Sequence, residues 1–507
     1  MKKRYIILTT LFFALVITSC KKGFLSQEVN PNSPSVASPQ NLLTGALATT
    51  AYRINGGGGS QYYNYLSVWM GYTTPSGNYV PSPTLEQYSF TNASFQVFNP
   101  LYSNLTNYNA LITAAAANPA LNYFAAIAQI MSCLDYQELV DNYNDVPYSQ
   151  ALNSSKYLFP AYDKGQDIYN ALETRLDGAI ALINSSGSAS SPGSSDVYFS
   201  GNMTSWKKFA NTLKLRIALR QNTNLPGNVA ALKTEVAKTA SEGYLDDKTF
   251  ALCQPGYSAS DLNSGQQSPF YLYWGYSAAG GEQQGHAYNR LNNFYKTLLQ
   301  NYNDPRLSQA YAPALSSNTM VGLTLGASNG ALTNQFTSAV GPGLIISPSM
   351  PSVVISGAEA CFLVSEGILE GYVTSGTAQD YYQRGITASF VALQVPNAAA
   401  AAATYYAQTT ANVGWTSSSA NYLQAIITQK YISLVNYGSF EAYNEWRRTG
   451  YPILTSNRSV KAGALGTGPA PNRIYYPSTE FSTNLTAVSA EPAVDPFNSI
   501  IFWAVKR

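Results

Sequence analysis

The sequence is poor in the residues that build most catalytic and metal centres, with one histidine and four cysteines in 507 residues. His286 stands in a Gly-rich stretch without a nucleophile-elbow motif, so a Ser/His/Asp triad would have to run through a histidine that lacks the usual setting. A histidine-based zinc site is excluded for want of imidazoles. Beyond Cys20, the residues Cys133, Cys253 and Cys361 have no metal-ligand spacing and imply no disulfide framework. Cys133 and Cys361 sit among apolar residues of predicted helices and read as buried thiols. Charge is scarce too. Only 11% of the chain is Asp, Glu, Lys or Arg, against about 25% in an average protein. A formal net charge of +2 gives no electrostatic footprint for nucleic acid, and that class of partner is set aside.

Asn, Ser, Thr, Gly and Tyr take the place of charge, with 39 tyrosines. The surface is therefore expected to be polar but uncharged, which suits neutral, hydroxyl-rich ligands met by stacking and neutral hydrogen bonds. The same composition equally fits a general habit of extracellular bacterial proteins. At the N-terminus, Lys2, Lys3 and Arg4 precede an apolar or small run, Tyr5 to Thr18, that ends in Ile17-Thr18-Ser19-Cys20. A positive stretch, a short apolar segment and small residues before a cleavage point define an export signal. The run is shorter than the roughly 20 residues a span needs. A cysteine placed directly after the small residues supplies the thiol that carries a diacylglycerol, so Cys20 is the predicted lipidation site. Loss of the three basic residues with the signal takes the formal net charge to −1. The expected organisation is a signal peptide over 1–19, a lipidated tether over 20–40 and one helical domain over 41–507.

Helical periodicity dominates the rest. Apolar steps of three and four run through Leu101, Leu105, Tyr108, Ile112 and Ala115, and again through Phe124, Ile127, Met131 and Leu134, with a break at Asn118-Pro119. Asp163 is expected to cap the next helix, with Gln166 at the capping-box position and Ile168, Leu172, Leu176, Ile180 and Ile183 as its buried stripe. Thr204 or Ser205 opens a further helix with Trp206, Phe209, Leu213 and Ile217 on one face and basic residues on the other. Helices are also expected over 291–299, 358–371, 378–392, 422–435 and 440–448, while the alanine runs at 114–117 and 398–403 favour helix. Neighbouring helices joined by short connections suggest stacked helix-turn-helix units, although no strict repeat period is visible. Long stretches at 53–97, 250–288, 310–356 and 450–500 separate them, and such stretches are functional or disordered in most proteins. Those at 60–80 and 270–288 are rich in aromatics and glycine, which favours ordered, ligand-contacting loops.

Several landmarks occur in a particular order. They are the lipobox with Lys21-Lys22, Asn30-Pro31-Asn32 leading into Leu42-Leu43, the run Asp141 to Tyr148 (DNYNDVPY), Asp304-Pro305-Arg306, the helix Glu359 to Glu366, Trp446 to Pro452 and Arg473 to Pro477. In this order they make the chain resemble the SusD/RagB family of outer-membrane lipoproteins, in the SusD-like branch common in Bacteroidetes. Two departures stand out. Asn144 occupies a position where the family has glycine, and asparagine tolerates positive φ better than other non-glycine residues. Gly23 stands where surface-exported relatives carry acidic residues. The resemblance implies a mainly α fold, a scaffold of four tetratricopeptide-like helix pairs with long loop insertions and little strand. It also implies a loop face that binds glycans, no catalysis, no cofactor, and a role as lid on a SusC-like TonB-dependent transporter.

Sugar rings lay their C–H faces on aromatic rings while amides read the hydroxyls. Trp69, Tyr72, Asn78 and Tyr79 offer this in the first loop. Tyr273, Trp274 and Tyr276 offer it in the second, beside Tyr271, Glu282, Gln283 and Gln284. Packing competes with ligand contact at each of these aromatics, and the alternation of Tyr271 and Tyr273 equally fits a half-buried strand. Arg447, Arg448 and Arg473, beside Trp446 and Tyr475, read as stacking and backbone-bonding groups that tie loops to helices. Asp304 and Arg306 are expected to fix a turn. Asp141, Asn142, Asn144 and Asp145 carry oxygen ligands suited to calcium but lack the EF-hand spacing, so no metal is assigned. The expected function is capture of oligosaccharides for import. Alternatives are a binder of peptides or another nutrient, a glycoside hydrolase using Glu86 and Glu282 as paired carboxylates, and a helical adaptor for a different protein.

Overall fold

A computed structural model describes residues 37–57, 62–262, 266–327, 330, 332–454 and 470–505. The signal peptide, Cys20 and the Asn30-Pro31-Asn32 landmark lie outside these residues. Polar side chains cap half of the long helices. Ser38 Oγ accepts the Asn41 amide at 3.2 Å, with Pro39 in the first turn, to start α1 (Pro39–Asn55). The break at Asn118-Pro119 separates α2 (Phe98–Ala117) from α3 (Asn122–Tyr143), with one short 3-10 turn between them. α4 spans Gly165–Ser185 and buries the predicted stripe from Ile168 to Ile183. α5 (Met203–Asn222) begins one or two residues before the expected start, because Asn202 caps it by accepting the Ser205 amide at 3.1 Å. α6 (Val229–Ala237) and α7 (Asn293–Asn301) follow, then α8 (Gly357–Leu369) and α9 (Ala378–Ala392). The second alanine run forms α10 (Ala398–Tyr406), and α11 (Tyr422–Ser433) and α12 (Ser439–Thr449) complete the long helices.

The neighbours α2/α3, α4/α5, α8/α9 and α11/α12 make the four helix pairs. The main core runs from Leu43 to Ala504, while Tyr382, Ile386 and Phe390 of α9 pack with α10 and the start of α11 in a second cluster, and a third joins α5, α6 and α8. Strand content is slight. β1 (Thr73–Pro75) pairs antiparallel with Asn289–Leu291, β2 (Val146–Pro147) with β3 (Tyr162–Asp163), and β4 (Ala251–Cys253) with Ser352–Ile355. In chain order the second members of the first and third pairs are β5 and β6.

One expectation fails at a cap. Asp163 does not cap α4; its carboxylate accepts the amides of Tyr148 at 2.9 Å and Ser149 at 2.8 Å, while Asp145 accepts the amide of Gly165 at 2.9 Å. A larger departure concerns the basic face of α5. Lys214, Arg216 and Arg220 are all buried, since each meets carboxylates from other helices. Arg216 Nη2 lies 2.6 Å from Glu359 of α8, and Arg220 contacts Glu441 of α12 at 2.6 Å and Asp141 of α3 at 3.3 Å. Arg448 of α12 bridges Glu366 of α8, at 2.6 and 2.9 Å, and Glu445, which Lys430 of α11 also meets at 2.7 Å. Arg53 of α1 meets Asp135 and Glu138 of α3 at 2.7 and 2.9 Å. Burial pushes the Glu445 carboxyl up, but Arg448 and Lys430 outweigh it and hold the group below the usual carboxylate range. Arg448 thus departs from the expected role of tying a loop. Arg447 fulfils it, donating to the carbonyls of Asn472 at 2.9 Å and Asp141 at 2.7 Å while its guanidinium stacks on Tyr443 and Trp503. Arg473 donates to the Tyr143 carbonyl and stacks on Tyr476.

Two predictions follow from this charge network. Arg448→Met leaves Glu366 buried without its cation and Glu445 with Lys430 alone, and should cost about 3–5 kcal/mol, read as a fall in the urea midpoint. Glu173 on α4 is buried with no hydrogen bond to Oε1, and burial, reinforced by Glu235, pushes its carboxyl up to about 8 against Lys214. A folded-state value raised above the unfolded one makes the ionised group destabilising. The deficit is absent below pH 4.5, grows as pH rises and is complete above pH 8. Glu173→Gln should therefore leave stability unchanged at pH 4 and raise it by on the order of 1–3 kcal/mol at pH 9, checked by denaturant unfolding at both values.

Candidate functional site

The β1–β5 ladder joins the two loops singled out in the sequence. Thr74 pairs with Arg290 and Pro75 with Asn289, so the segment that continues to Asn78 and Tyr79 leaves the ladder beside Tyr288. The tip is then pinned twice more. Gly77 N donates to the Leu332 carbonyl at 3.3 Å, and Asn78 Oδ1 accepts the Asn334 amide at 2.7 Å. Asn334 Oδ1 in turn accepts from Ser76 Oγ at 2.5 Å and Arg290 Nε at 3.3 Å. Tyr79, 40% exposed, meets Tyr288 edge to face with ring centroids 5.0 Å apart. Tyr288 lines a cleft of about 270 Å³ together with Asn64, Tyr65, Phe95, Tyr273 and Gln284.

A short hairpin turn follows the helix Pro269–Trp274. Tyr276 bridges Glu282 in antiparallel register, with the Ser277 amide donating to the Gly281 carbonyl at 2.8 Å. The exposed Glu282 carboxylate lies 3.7 Å from Arg290 and 3.8 Å from His286. His286 is buried, and its Nδ1 donates to the Trp274 carbonyl at 2.9 Å, which leaves Nε2 to face the Tyr276 hydroxyl at 3.3 Å. Desolvation lowers the pKa of His286, so the neutral ring is favoured, and burial likewise lowers that of Arg290. Among the described residues no serine or threonine hydroxyl bonds to His286, whose contacts with Trp274, Tyr276 and Glu282 brace the hairpin.

The site residues named from sequence divide sharply. Asn78 and Tyr79 are exposed and Tyr276 is half-buried, all three outside the cleft's lining, with Tyr79 reaching it through Tyr288; Tyr273 lines it, its hydroxyl accepting from Asn64 Nδ2 at 3.0 Å. Trp69, Tyr72 and Trp274 are core residues, a correction to their expected exposure. Trp69 ends the helix Asn64–Trp69 and is enclosed by Tyr65, Tyr88, Phe90, Phe95 and Tyr443. Tyr72 stacks on Tyr431 at 4.5 Å and donates to its carbonyl at 2.6 Å, and Trp274 stacks on Phe270. A large ring beside an apolar helix face gains more by burial than by waiting for a ligand. Tyr271 and Tyr273 belong to the helix Pro269–Trp274, not to a strand. Sequence reasoning missed Tyr288, Arg290 and Asn334. Residues 287–292 (AYNRLN) show no alternation of polar and apolar residues, so none of the three carries a local signal.

Residues 31–477 match the family model described as "Starch-binding associating with outer membrane", the SusD-like group. The chain belongs to the SusD-like family. Solved structures with the SusD-like fold include a chitin-binding protein at 24% identity and TM-score 0.73, covering 91% of this chain and 100% of its own. A SusD homologue from Bacteroides uniformis has 23% identity and TM-score 0.73, over 92% of this chain and 99% of its own. A chitin-binding SusD homologue from Flavobacterium johnsoniae has 23% identity and TM-score 0.75, over the same shares. No curated protein matches the sequence. Within the SusD-like landmarks, Asn144 has φ 66°, the conformation its family glycine would adopt, and its Oδ1 accepts the Phe502 amide at 2.6 Å. Asp141 and Asp145, weighed for calcium, are engaged by protein donors. Asp141 accepts from Tyr169 at 2.5 Å and Trp503 at 2.9 Å, and Asp145 from Lys164 at 2.8 Å.

Gly285 lets the helix Gln284–Tyr288 lie directly against Tyr273, a residue of the cleft wall. A Cβ there would stand 2.5 Å from the Tyr273 ring and 2.7 Å from its carbonyl oxygen. Gly285→Ala should therefore cost about 1–3 kcal/mol and speed amide exchange over 273–290, measured by denaturation and by hydrogen exchange with mass spectrometry.

Proposed function

We propose that this SusD-like protein is a non-catalytic carbohydrate-binding lipoprotein of the outer membrane that captures oligosaccharides and passes them to a SusC-like TonB-dependent transporter. Family membership supports the outer-membrane and glycan parts of the reading. The observation that carries it is the Tyr79–Tyr288 pair, which continues into a cleft edged by amides. Rings at the mouth give a sugar apolar faces, while Asn64, Asn78 and Gln284 supply neutral hydrogen-bonding groups. The chitin-binding relatives make oligomers of N-acetylglucosamine the first ligands to test. Attachment is assigned to an acyl chain on Cys20, whose place directly after the small residues that end the export signal supports it.

Hydrolysis is disfavoured by how the two candidate carboxylates are used. Glu86 is buried in the first turn of the helix Pro83–Glu86, accepting the Ser82 amide at 3.2 Å, and Glu282 faces Arg290 and His286. Isothermal titration against a panel of oligosaccharides and peptides tests the reading. Tyr79→Ala and Tyr288→Ala should each weaken sugar binding about 5- to 30-fold, a loss of about 1–2 kcal/mol. Binding of peptides alone, or of sugars with undiminished affinity in both variants, would refute the site. Co-purification with a large β-barrel from native membranes checks the transporter, and its absence favours an adaptor for another protein.

A further inference from the structure

A second cleft, of about 510 Å³, shares the helix Pro269–Trp274 with the first: Phe270 lines it, whereas Tyr273 lines the tyrosine cleft. Small residues leave it open, with Gly357 and Ala358 at the start of α8 and Ala388 and Ala392 on α9. Phe250, Leu252, Leu344, Met350 and Val353 supply apolar walls. Val391, Ile346 and Phe250, at 58%, 43% and 37% exposure, line it while leaving apolar surface in water.

Several polar groups of the lining already have partners. Asn55 exchanges two hydrogen bonds with the Val353 backbone, at 2.6 and 3.0 Å. Ser356 Oγ accepts the Glu359 amide at 3.0 Å, Thr387 Oγ1 donates to the Gln383 carbonyl at 2.9 Å, and the Tyr437 hydroxyl donates to the Ser433 carbonyl at 2.5 Å. A polyhydroxylated guest would lose its own hydrogen bonds to water here with little in return, whereas a hydrocarbon loses none. Asp247 is the charged residue among those lining the cleft, and its partner Arg384 also meets Asp246 and Asp380. Three aspartates against Arg384 and the adjacent Lys248 leave this edge net negative.

We infer that this cleft is a separate site for the hydrocarbon part of an uncharged or cationic amphiphile, with the head group at the Asp247 edge. It does not rest on the carbohydrate reading. The mature chain carrying Cys20→Ser, which cannot be acylated and needs no detergent, is titrated with the uncharged fluorophore N-phenyl-1-naphthylamine. Saturable, blue-shifted emission is expected, with dodecyltrimethylammonium displacing the dye at a concentration about tenfold lower than dodecanoate. Ala388→Phe, which fills the cleft, and Val391→Asp, at its exposed margin, should each weaken dye binding about tenfold or more while the melting temperature holds. Failure of the dye to saturate, or equal affinity in both variants, overturns the site. Displacement by dodecanoate as readily as by the cation overturns the head-group assignment, and displacement by an oligosaccharide overturns the separation of the two clefts.

Discussion

Guanidinium and carboxylate groups buried between helices hold the scaffold in register. Arg220 of α5 reaches α3 and α12, Arg216 reaches α8, and Arg448 links α12 back to α8, so these contacts connect all four helix pairs. Removing such charges from water is costly, and only close, complementary partners make the arrangement tolerable. That condition restricts how the pairs can stack. Apolar stripes can slide past one another by a turn, whereas a guanidinium that must meet Glu366 and Glu445 together accepts very few positions.

The same chemistry carries order from scaffold to loops. Arg447 and Arg473 bind backbone carbonyls of the 141–143 and 472 segments while lying on Tyr443, Trp503 and Tyr476, so the C-terminal chain is clamped against the end of α3. Arg306 works similarly at another corner. Its paired Asp304 turns the chain after α7, while its Nη1 and Nη2 reach Ser389 of α9 and Gln429 of α11 at 3.1 and 2.6 Å. With the helices held, the long insertions can be anchored by a few contacts each. The three-residue β1–β5 ladder and the Asn334 hub suffice to present Tyr79 beside Tyr288.

Helix positions were legible because they depend on local periodicity. The stripe from Ile168 to Ile183, the break at Asn118-Pro119 and the span 378–392 all appear where three- and four-residue steps put them. Charged positions misled for the same reason. A basic face reads locally as a solvated one, and Arg216 is buried only because Glu359, far along the chain, comes to meet it. The candidate site was legible as two loops and only partly as residues, with Tyr79 and Tyr273 named and Tyr288 missed. Ring chemistry drew attention to Trp69, Tyr72 and Trp274, but the fate of the first two depended on neighbours such as Tyr443 and Tyr431 that only folding brings near. Tyr288 and Asn334 owe their importance to a ladder whose partner strands lie more than two hundred residues apart.

The location of the charges has an environmental consequence. Mobile ions screen charges that face solvent over a Debye length of roughly 10 Å at 0.1 M salt, but they do not enter a packed interior. Arg53, Arg216, Arg220 and Arg448 meet their partners inside the protein, and the residues left outside are largely uncharged. Brine and dilute water are therefore nearly the same medium to this scaffold.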